Sequence, residues 1–282
     1  MSITDRDLVI AAAEAGAAVV RSHYGSSLAR LPKEGDDFAT VADIEAEKAI
    51  LAILRDARPG DVVLGEESGR TGDGGSDRMW LVDPLCGTLN YAVHTMPVSV
   101  NVALRVGDRV TVAASADPFT EEVFWTGGDG AHVRQRGGAH VRQGGGAHVR
   151  QGGGDRPLVP SAGSRLVDLN LDPPFPNRPD FLAAALLADD GFITRFRPRV
   201  VSTTLAVAWV AAGRRAAYIT DGHLRDSVHF AAGIALCEAA GCVVTGLDGQ
   251  PLHTGRGGLV AAADAETHTA LLRLIAGRRV SR

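Results

Sequence analysis

Residues 79–91 read MWLVDPLCGTLNY, and this stretch decides the predicted fold. The apolar run 79–82 predicts a buried strand, and Asp83 follows it directly. Upstream, the apolar run 62–64 leads in the same way to Glu66 and Glu67. Carboxylates at the ends of neighbouring strands meet at one edge of a sheet, where layered α/β proteins bind their ligands. The sequence therefore predicts an α/β fold with an acidic ligand-binding edge.

Helices and short strands alternate on both sides of this stretch, which indicates a layered α/β (α+β) architecture with two closely packed subdomains. We expect an N-terminal subdomain at 1–157 and a C-terminal subdomain at 158–282 that completes the site. Thr4 is the expected N-cap of the first helix, and Asp226 or Ser227 that of a late one. Four helices are predicted: residues 4–24, a helix that follows Thr40, a helix within 202–213, and residues 226–238. The predicted strands include residues 98–106, a strand that begins at 110, and residues 216–219 and 241–245.

Composition narrows the function classes. The 282 residues carry a formal net charge of -4, which gives no general attraction to nucleic acid or to anionic membranes. No apolar run approaches the roughly 20 residues that span a bilayer, and the N-terminus does not look like a signal peptide. Three cysteines form no paired framework. We therefore expect a cytoplasmic protein that binds neither nucleic acid nor membrane.

Residues 131–154 form three tandem octads, AHVRQRGG, AHVRQGGG and AHVRQGGG. The period is far shorter than those that build solenoids, and the glycines make each unit flexible. One interpretation is a metal-binding array of His132, His140 and His148. The other is a hairpin tip lengthened by replication slippage, since loop growth costs little free energy.

Four segments appear in an order that chance rarely produces. They are Lys33 with Asp37, Thr40 and Asp43; GEES at 65–68; Trp80 with DPLCGTLNY at 83–91; and AAG…EAAG at 231–241. Together they resemble the inositol monophosphatase family of metal-dependent sugar-phosphate phosphatases, over nearly the whole chain. The resemblance implies alternating α-β-α-β-α layers, Mg²⁺, a small phosphorylated substrate and a homodimer.

The resemblance also implies roles for individual residues. Glu66, Asp83 and the Leu85 carbonyl, with Glu67 beside them, would form the metal site. Thr88 and Asp43, together with Glu66, would take a proton from the attacking water. The amides of Gly87 and Thr88 would help to bind phosphate. Without the resemblance, these acids would simply be solvated strand ends.

The sequence departs from the family pattern at the second metal position. Cys86 stands where the family has an aspartate. At the start of the late helix the family has a second aspartate, and this chain has Val228 or His229 there, depending on the alignment. Asp226 lies one helical turn before His229. In one interpretation Asp83, Cys86 and His229 form a softer site that favours Zn²⁺, Fe²⁺ or Mn²⁺ over Mg²⁺. In the other the second metal is lost, and Cys86 is an inert small residue.

Substrate contacts differ from the family too. Thr220, with Asp221 next to it, occupies a position where the family often has an acid that holds a sugar hydroxyl. Three functions follow: a metal-dependent phosphatase for a sugar- or cyclitol-phosphate-like monoester, including one of specialised metabolism; a repurposed lyase, cyclase or transferase; and a non-catalytic pseudo-phosphatase.

Overall fold

The computed structural model describes residues 3–26, 30–33, 38–72, 76–135, 154–178 and 180–277. The α-helices are α1 Asp5–His23, α2 Val41–Ala57, α3 Thr88–Ala92, α4 Asp190–Arg195, α5 Leu205–Ala211, α6 Ala231–Ala240 and α7 Ala265–Gly277. A 3₁₀ helix spans Ala183–Ala188. The strands are β1 Arg30–Pro32, β2 Phe38–Thr40, β3 Val62–Gly65, β4 Gly69–Thr71, β5 Arg78–Cys86, β6 Ser99–Val106, β7 Arg109–Ala116, β8 Glu122–Thr126, β9 Ala131–Gln135, β10 Arg156–Pro157, β11 Leu166–Leu169, β12 Arg197–Val200, β13 Ala217–Thr220, β14 Val243–Thr245 and β15 Leu259–Ala262.

An eight-stranded sheet has the order β10-β9-β8-β7-β6-β5-β3-β4. Neighbouring strands in it are antiparallel except β3 and β5, which are parallel. The apolar faces of α1 and α2 cover one side of this sheet and share a core with Trp80, Val100 and Val102. Because β3 and β5 run in the same direction, the residues at their C-terminal ends meet at one edge.

The five-stranded sheet has the order β12-β11-β13-β15-β14. Helices α5 and α6 share a core with Phe124 of the larger sheet and Tyr218 of the smaller one. On the other side of the smaller sheet, α4, α7 and the 3₁₀ helix pack around residues such as Ile219 and Val260. These contacts confirm the layered α/β architecture that the sequence predicts and the α-β-α-β-α order that the family resemblance implies.

Helix α1 begins as predicted. Thr4 is its N-cap, and the Thr4 side chain accepts a hydrogen bond from the Asp7 amide. The predicted start of α6 is wrong, because the helix begins at Ala231 after Phe230, and no side chain caps it. Asp226 instead has a left-handed backbone and an ion pair with Arg105 at 2.9 Å, so its carboxylate is directed to the larger sheet.

The division into subdomains at 157/158 stays a prediction, although the larger sheet ends at Pro157 and the smaller one begins at Leu166. Of the octads, the first supplies β9, in which the His132 ring stacks on Trp125 with centroids 4.6 Å apart. His140 and His148 lie outside the described residues. Among the described helices, none combines the length and the apolar character that crossing a bilayer requires.

Candidate active site

The acidic edge forms where β3 and β5 end side by side. Gly65 pairs with Val82, and the Glu66 amide donates a hydrogen bond to the Val82 carbonyl at 3.0 Å. Glu66 and Asp83 are therefore neighbours across the two strands, and Asp83 is fully buried. The structure thus brings together the two carboxylates that the sequence places at one edge.

Lys33 compensates part of this negative charge. Its Nζ lies 3.0 Å from Glu66 Oε1 and 2.6 Å from Glu67 Oε1. Glu66 Oε2 is buried and has no hydrogen-bond partner among the described residues. Burial, and then the charge of Asp83, raise the pKa of Glu66 to about 8. The buried Asp83 carboxylate and the partly buried Glu66 carboxylate, with its unpartnered Oε2, fit the hard oxygen ligand set of Mg²⁺.

Glu47 supports the Glu66–Glu67 turn and was not found from the sequence. Its Oε2 accepts a hydrogen bond from the Glu67 amide and its Oε1 one from the Ser68 amide, both at 2.8 Å. A Cβ on Gly65 would lie 2.7 Å from the Glu47 carboxyl atoms, so any larger residue here would displace the Glu47 carboxylate. The sequence signal for Glu47 was an acidic residue four positions after Asp43, on the same face of the predicted helix.

Thr88 and Asp43 form the predicted pair. Thr88 Oγ1 lies 3.0 Å from Asp43 Oδ1 and 3.1 Å from the Leu85 carbonyl oxygen, both of which are acceptors. Asp43 Oδ2 accepts hydrogen bonds from the Thr40 amide at 2.8 Å and from the Thr40 hydroxyl at 2.6 Å. Asp43 is fully buried, and burial raises its pKa. These bonds fix the carboxylate that faces Thr88. Asp37, from the same motif, lies outside the described residues.

Gly87 precedes α3 with φ of 99°, a left-handed conformation that favours glycine. A Cβ at Gly87 would lie 3.0 Å from the Pro97 carbonyl oxygen, so a larger residue is also excluded by close packing. The roles of the Gly87 and Thr88 amides in phosphate binding and of Glu67 in metal binding stay predictions.

Asp83, Cys86 and His229 meet beside this edge. One ligand atom from each lies within 4.8 Å of the others, and His229 Nδ1 is 2.9 Å from Asp83 Oδ2. Partial burial opposes ionisation of His229, but the Asp83 carboxylate raises its pKa well above the usual value. Burial, and then the charge of Asp83, raise the pKa of the Cys86 thiol. Of the two alignments, the structure places His229 at the site, whereas Val228 packs in an apolar cluster.

Two further polar residues of this cluster were not found from the sequence. Asn101 Nδ2 donates to Thr204 Oγ1 at 2.9 Å and lies 3.3 Å from Asp83 Oδ2. The Thr204 amide donates to Cys86 Sγ at 3.2 Å. The signal for Asn101 was a polar side chain in the middle of an apolar strand. Nothing in the sequence pattern marks Thr204.

Three residues predicted to belong to the site make their contacts with other parts of the chain. Asp226 pairs with Arg105 and is not part of the Asp83–Cys86–His229 cluster. Thr220 is buried, and its hydroxyl donates to the Asp221 carbonyl at 3.0 Å. The Asp221 carboxylate accepts hydrogen bonds from Asn177 and from the Gly222 amide. That Thr220 and Asp221 contact the substrate stays a prediction. Each of these side chains already makes a hydrogen bond within the protein.

Comparison with known proteins identifies the family. The family model described as "Inositol monophosphatase family" matches residues 4–278. An inositol-1-monophosphatase of Caulobacter vibrioides is 30% identical over 274 residues, covering 94% of this chain and 98% of its own length. The Nus factor SuhB of Escherichia coli K12 is 30% identical, with 90% of this chain and 88% of the relative covered. A solved inositol monophosphatase from Anabaena is 26% identical, has a TM-score of 0.72, and covers 96% of this chain and 95% of its own.

Proposed function

The chain belongs to the inositol monophosphatase family of metal-dependent phosphatases, and on this basis we propose that it hydrolyses a small phosphorylated metabolite. The substrate class is a sugar- or cyclitol-phosphate-like monoester. The observation that carries the proposal is the hydrogen bond between Thr88 Oγ1 and the buried Asp43 carboxylate, beside the Glu66–Asp83 edge. A protein that only binds its ligand has no use for such a pair.

Glu66, Asp83 and the Leu85 carbonyl would hold one Mg²⁺. When bound, the ion supplies charge neutralisation at the phosphoryl group and lowers the pKa of a coordinated water. The unpartnered Glu66 Oε2 supports this role, because a buried carboxylate oxygen without a donor is costly unless a cation binds it.

The protein residues would deliver the water. When the Thr88 hydroxyl donates a hydrogen bond to Asp43 Oδ1, the lone pairs of its oxygen are free to accept a hydrogen bond from the water. The water proton passes to the group formed by Thr88, Asp43 and Glu66. A bond forms between the water oxygen and phosphorus, and the ester P–O bond breaks. The leaving alcohol oxygen takes a proton from solvent water, and the protein group returns the proton it accepted to solvent.

The test is phosphate release by chelator-treated protein from a broad panel of phosphate monoesters, with Mg²⁺, Mn²⁺ or Zn²⁺ added back. We expect metal-dependent release, and a loss of at least about 100-fold in Glu66→Gln, because metal and proton acceptance both depend on this carboxylate. Release from no ester with any of the three metals would overturn the proposal.

A repurposed enzyme is the second candidate, and Cys86 and His229 are the observation that favours it. Their thiol and imidazole lie where the family pattern has carboxylates, so leaving-group stabilisation would differ. The double variant Cys86→Asp/His229→Asp restores both carboxylates. For a lyase, cyclase or transferase, phosphatase activity should appear or rise in this variant; unchanged activity would count against the candidate.

A further inference from the structure

We propose that Asp83, Cys86 and His229 form a three-ligand site for a borderline-soft divalent cation, taking Zn²⁺ in preference to Mg²⁺. The inference rests on the proposed function for what the ion would do, but its binding is measurable without any substrate. Asp83 would lie between this site and the Mg²⁺ position.

The donor atoms are close enough for a shared ion. The carboxylate oxygen, Sγ and imidazole nitrogen all lie within 4.8 Å of one another. Tetrahedral Zn²⁺, with bonds of about 2.0–2.3 Å, needs ligand atoms about 3.5 Å apart, so small side-chain rotations suffice. A carboxylate, a thiolate and an imidazole are also ligands that favour Zn²⁺ over Mg²⁺.

Neighbouring donors hold two of the ligands in place. The Thr204 amide points at Cys86 Sγ at 3.2 Å, and a donated N–H stabilises a thiolate more than a thiol. Asp83 Oδ1 accepts a hydrogen bond from the Leu85 amide at 3.1 Å, and Asn101 approaches Oδ2. Metal sites use such outer contacts to orient their ligands. A cysteine that merely filled space would not need a donor aimed at its sulfur.

Three protein ligands leave a fourth tetrahedral position. Asp83 is fully buried, but the His229 side chain is 42% exposed, so the cluster has a solvent-facing side. Open three-ligand sites are typical of catalytic zinc, in which water or a substrate oxygen completes the shell. The alternative occupant is a proton, which would leave His229 as an imidazolium paired with Asp83.

The test uses the full chain, treated with a chelator and titrated with Co²⁺ as a spectroscopic substitute for Zn²⁺. Binding releases the thiol proton of Cys86 and should produce a thiolate-to-Co²⁺ charge-transfer band in the near ultraviolet. Zn²⁺ should abolish the band at equimolar concentration, and a large excess of Mg²⁺ should not. Cys86→Ser should lack the band, whereas Cys242→Ser, a cysteine of the α5–α6 core region, should keep it.

His229→Ala provides an independent readout and should weaken Co²⁺ binding by at least about tenfold, the size of effect typical even of outer-shell changes. Absence of the band in the folded wild type, or a band of equal strength in Cys86→Ser, overturns the site and favours the imidazolium. If the band appears but no ester is hydrolysed, the proposed function fails and this site does not. Phosphate release without the band overturns this site and leaves the proposed function standing.

Discussion

Replacing Gly65 by alanine perturbs the turn that carries Glu66 without touching Glu66 itself. The added Cβ would lie 2.7 Å from the carboxyl carbon and from both oxygens of Glu47. Carbon and oxygen atoms not bonded to each other need about 3.3 Å or more, so the carboxylate must move. In the wild type, Glu47 Oε2 accepts a hydrogen bond from the Glu67 amide and Oε1 accepts one from the Ser68 amide, both at 2.8 Å. Moving the carboxylate lengthens both hydrogen bonds.

The expected cost follows from these contacts. Overpacking of this kind costs about 1–3 kcal/mol, and each weakened hydrogen bond to a charged acceptor adds up to about 1.5–3 kcal/mol. Against this, alanine restricts the unfolded chain and returns about 0.4–1 kcal/mol. We expect Gly65→Ala to lower the free energy of unfolding by about 2–4 kcal/mol. Gly60→Ala should change it by less than about 1 kcal/mol, because no described residue beyond its two chain neighbours comes within 4 Å of the added Cβ.

A double-mutant cycle measured by urea unfolding tests the cause. In a Glu47→Ala background the collision partner is gone, so Gly65→Ala should be neutral or slightly stabilising. The coupling free energy between the two positions should then be about 2–5 kcal/mol. Equal costs of Gly65→Ala in both backgrounds would show that the contact with Glu47 is not their source.

Three further predictions concern other parts of the chain. Thr88→Val should lower kcat by about 100- to 10,000-fold, and Thr88→Ser should keep most of it, because only valine removes the hydroxyl; steady-state kinetics that rank the two alike would contradict this. Asp226→Ala should leave Co²⁺ binding unchanged and cost less than about 1 kcal/mol in urea unfolding, because its ion pair with Arg105 is partly exposed; weakened binding would return Asp226 to the site. If the octads are the lengthened hairpin tip of the sequence interpretation, deleting residues 139–146 should raise the unfolding free energy by less than about 1 kcal/mol and preserve activity; lost activity would point to a functional repeat.

The sequence predicted a layered α/β fold because the determinants of its helices and strands are local, whereas the order of the layers came from the family resemblance. The apolar periodicity of α1, its Thr4 cap and the apolar runs of β3 and β5 depend on short stretches of chain. The acidic edge followed from these, since parallel neighbours must end on the same side. Local pattern failed at Asp226, where a left-handed backbone and the ion pair with Arg105 compete with the capping role.

The supporting contacts of the site could not be predicted because they join distant segments. Thr204 reaches Cys86 across 118 residues, and Asn101 reaches Thr204 across 103. The choice between Val228 and His229 likewise depended on how α6 packs on the larger sheet. Both residues lie in the turn that precedes α6, and local pattern does not fix which of the two adjacent side chains, apolar or imidazole, faces Asp83.

In the proposed reaction, water activated beside Thr88 and Asp43 attacks phosphorus. The most direct test is to run the reaction in ¹⁸O-labelled water with Mg²⁺ and to follow the label by mass spectrometry. We expect one labelled oxygen in each phosphate released and none in the alcohol. Label in the alcohol, or turnover of substrate without phosphate release, would contradict attack of water at phosphorus.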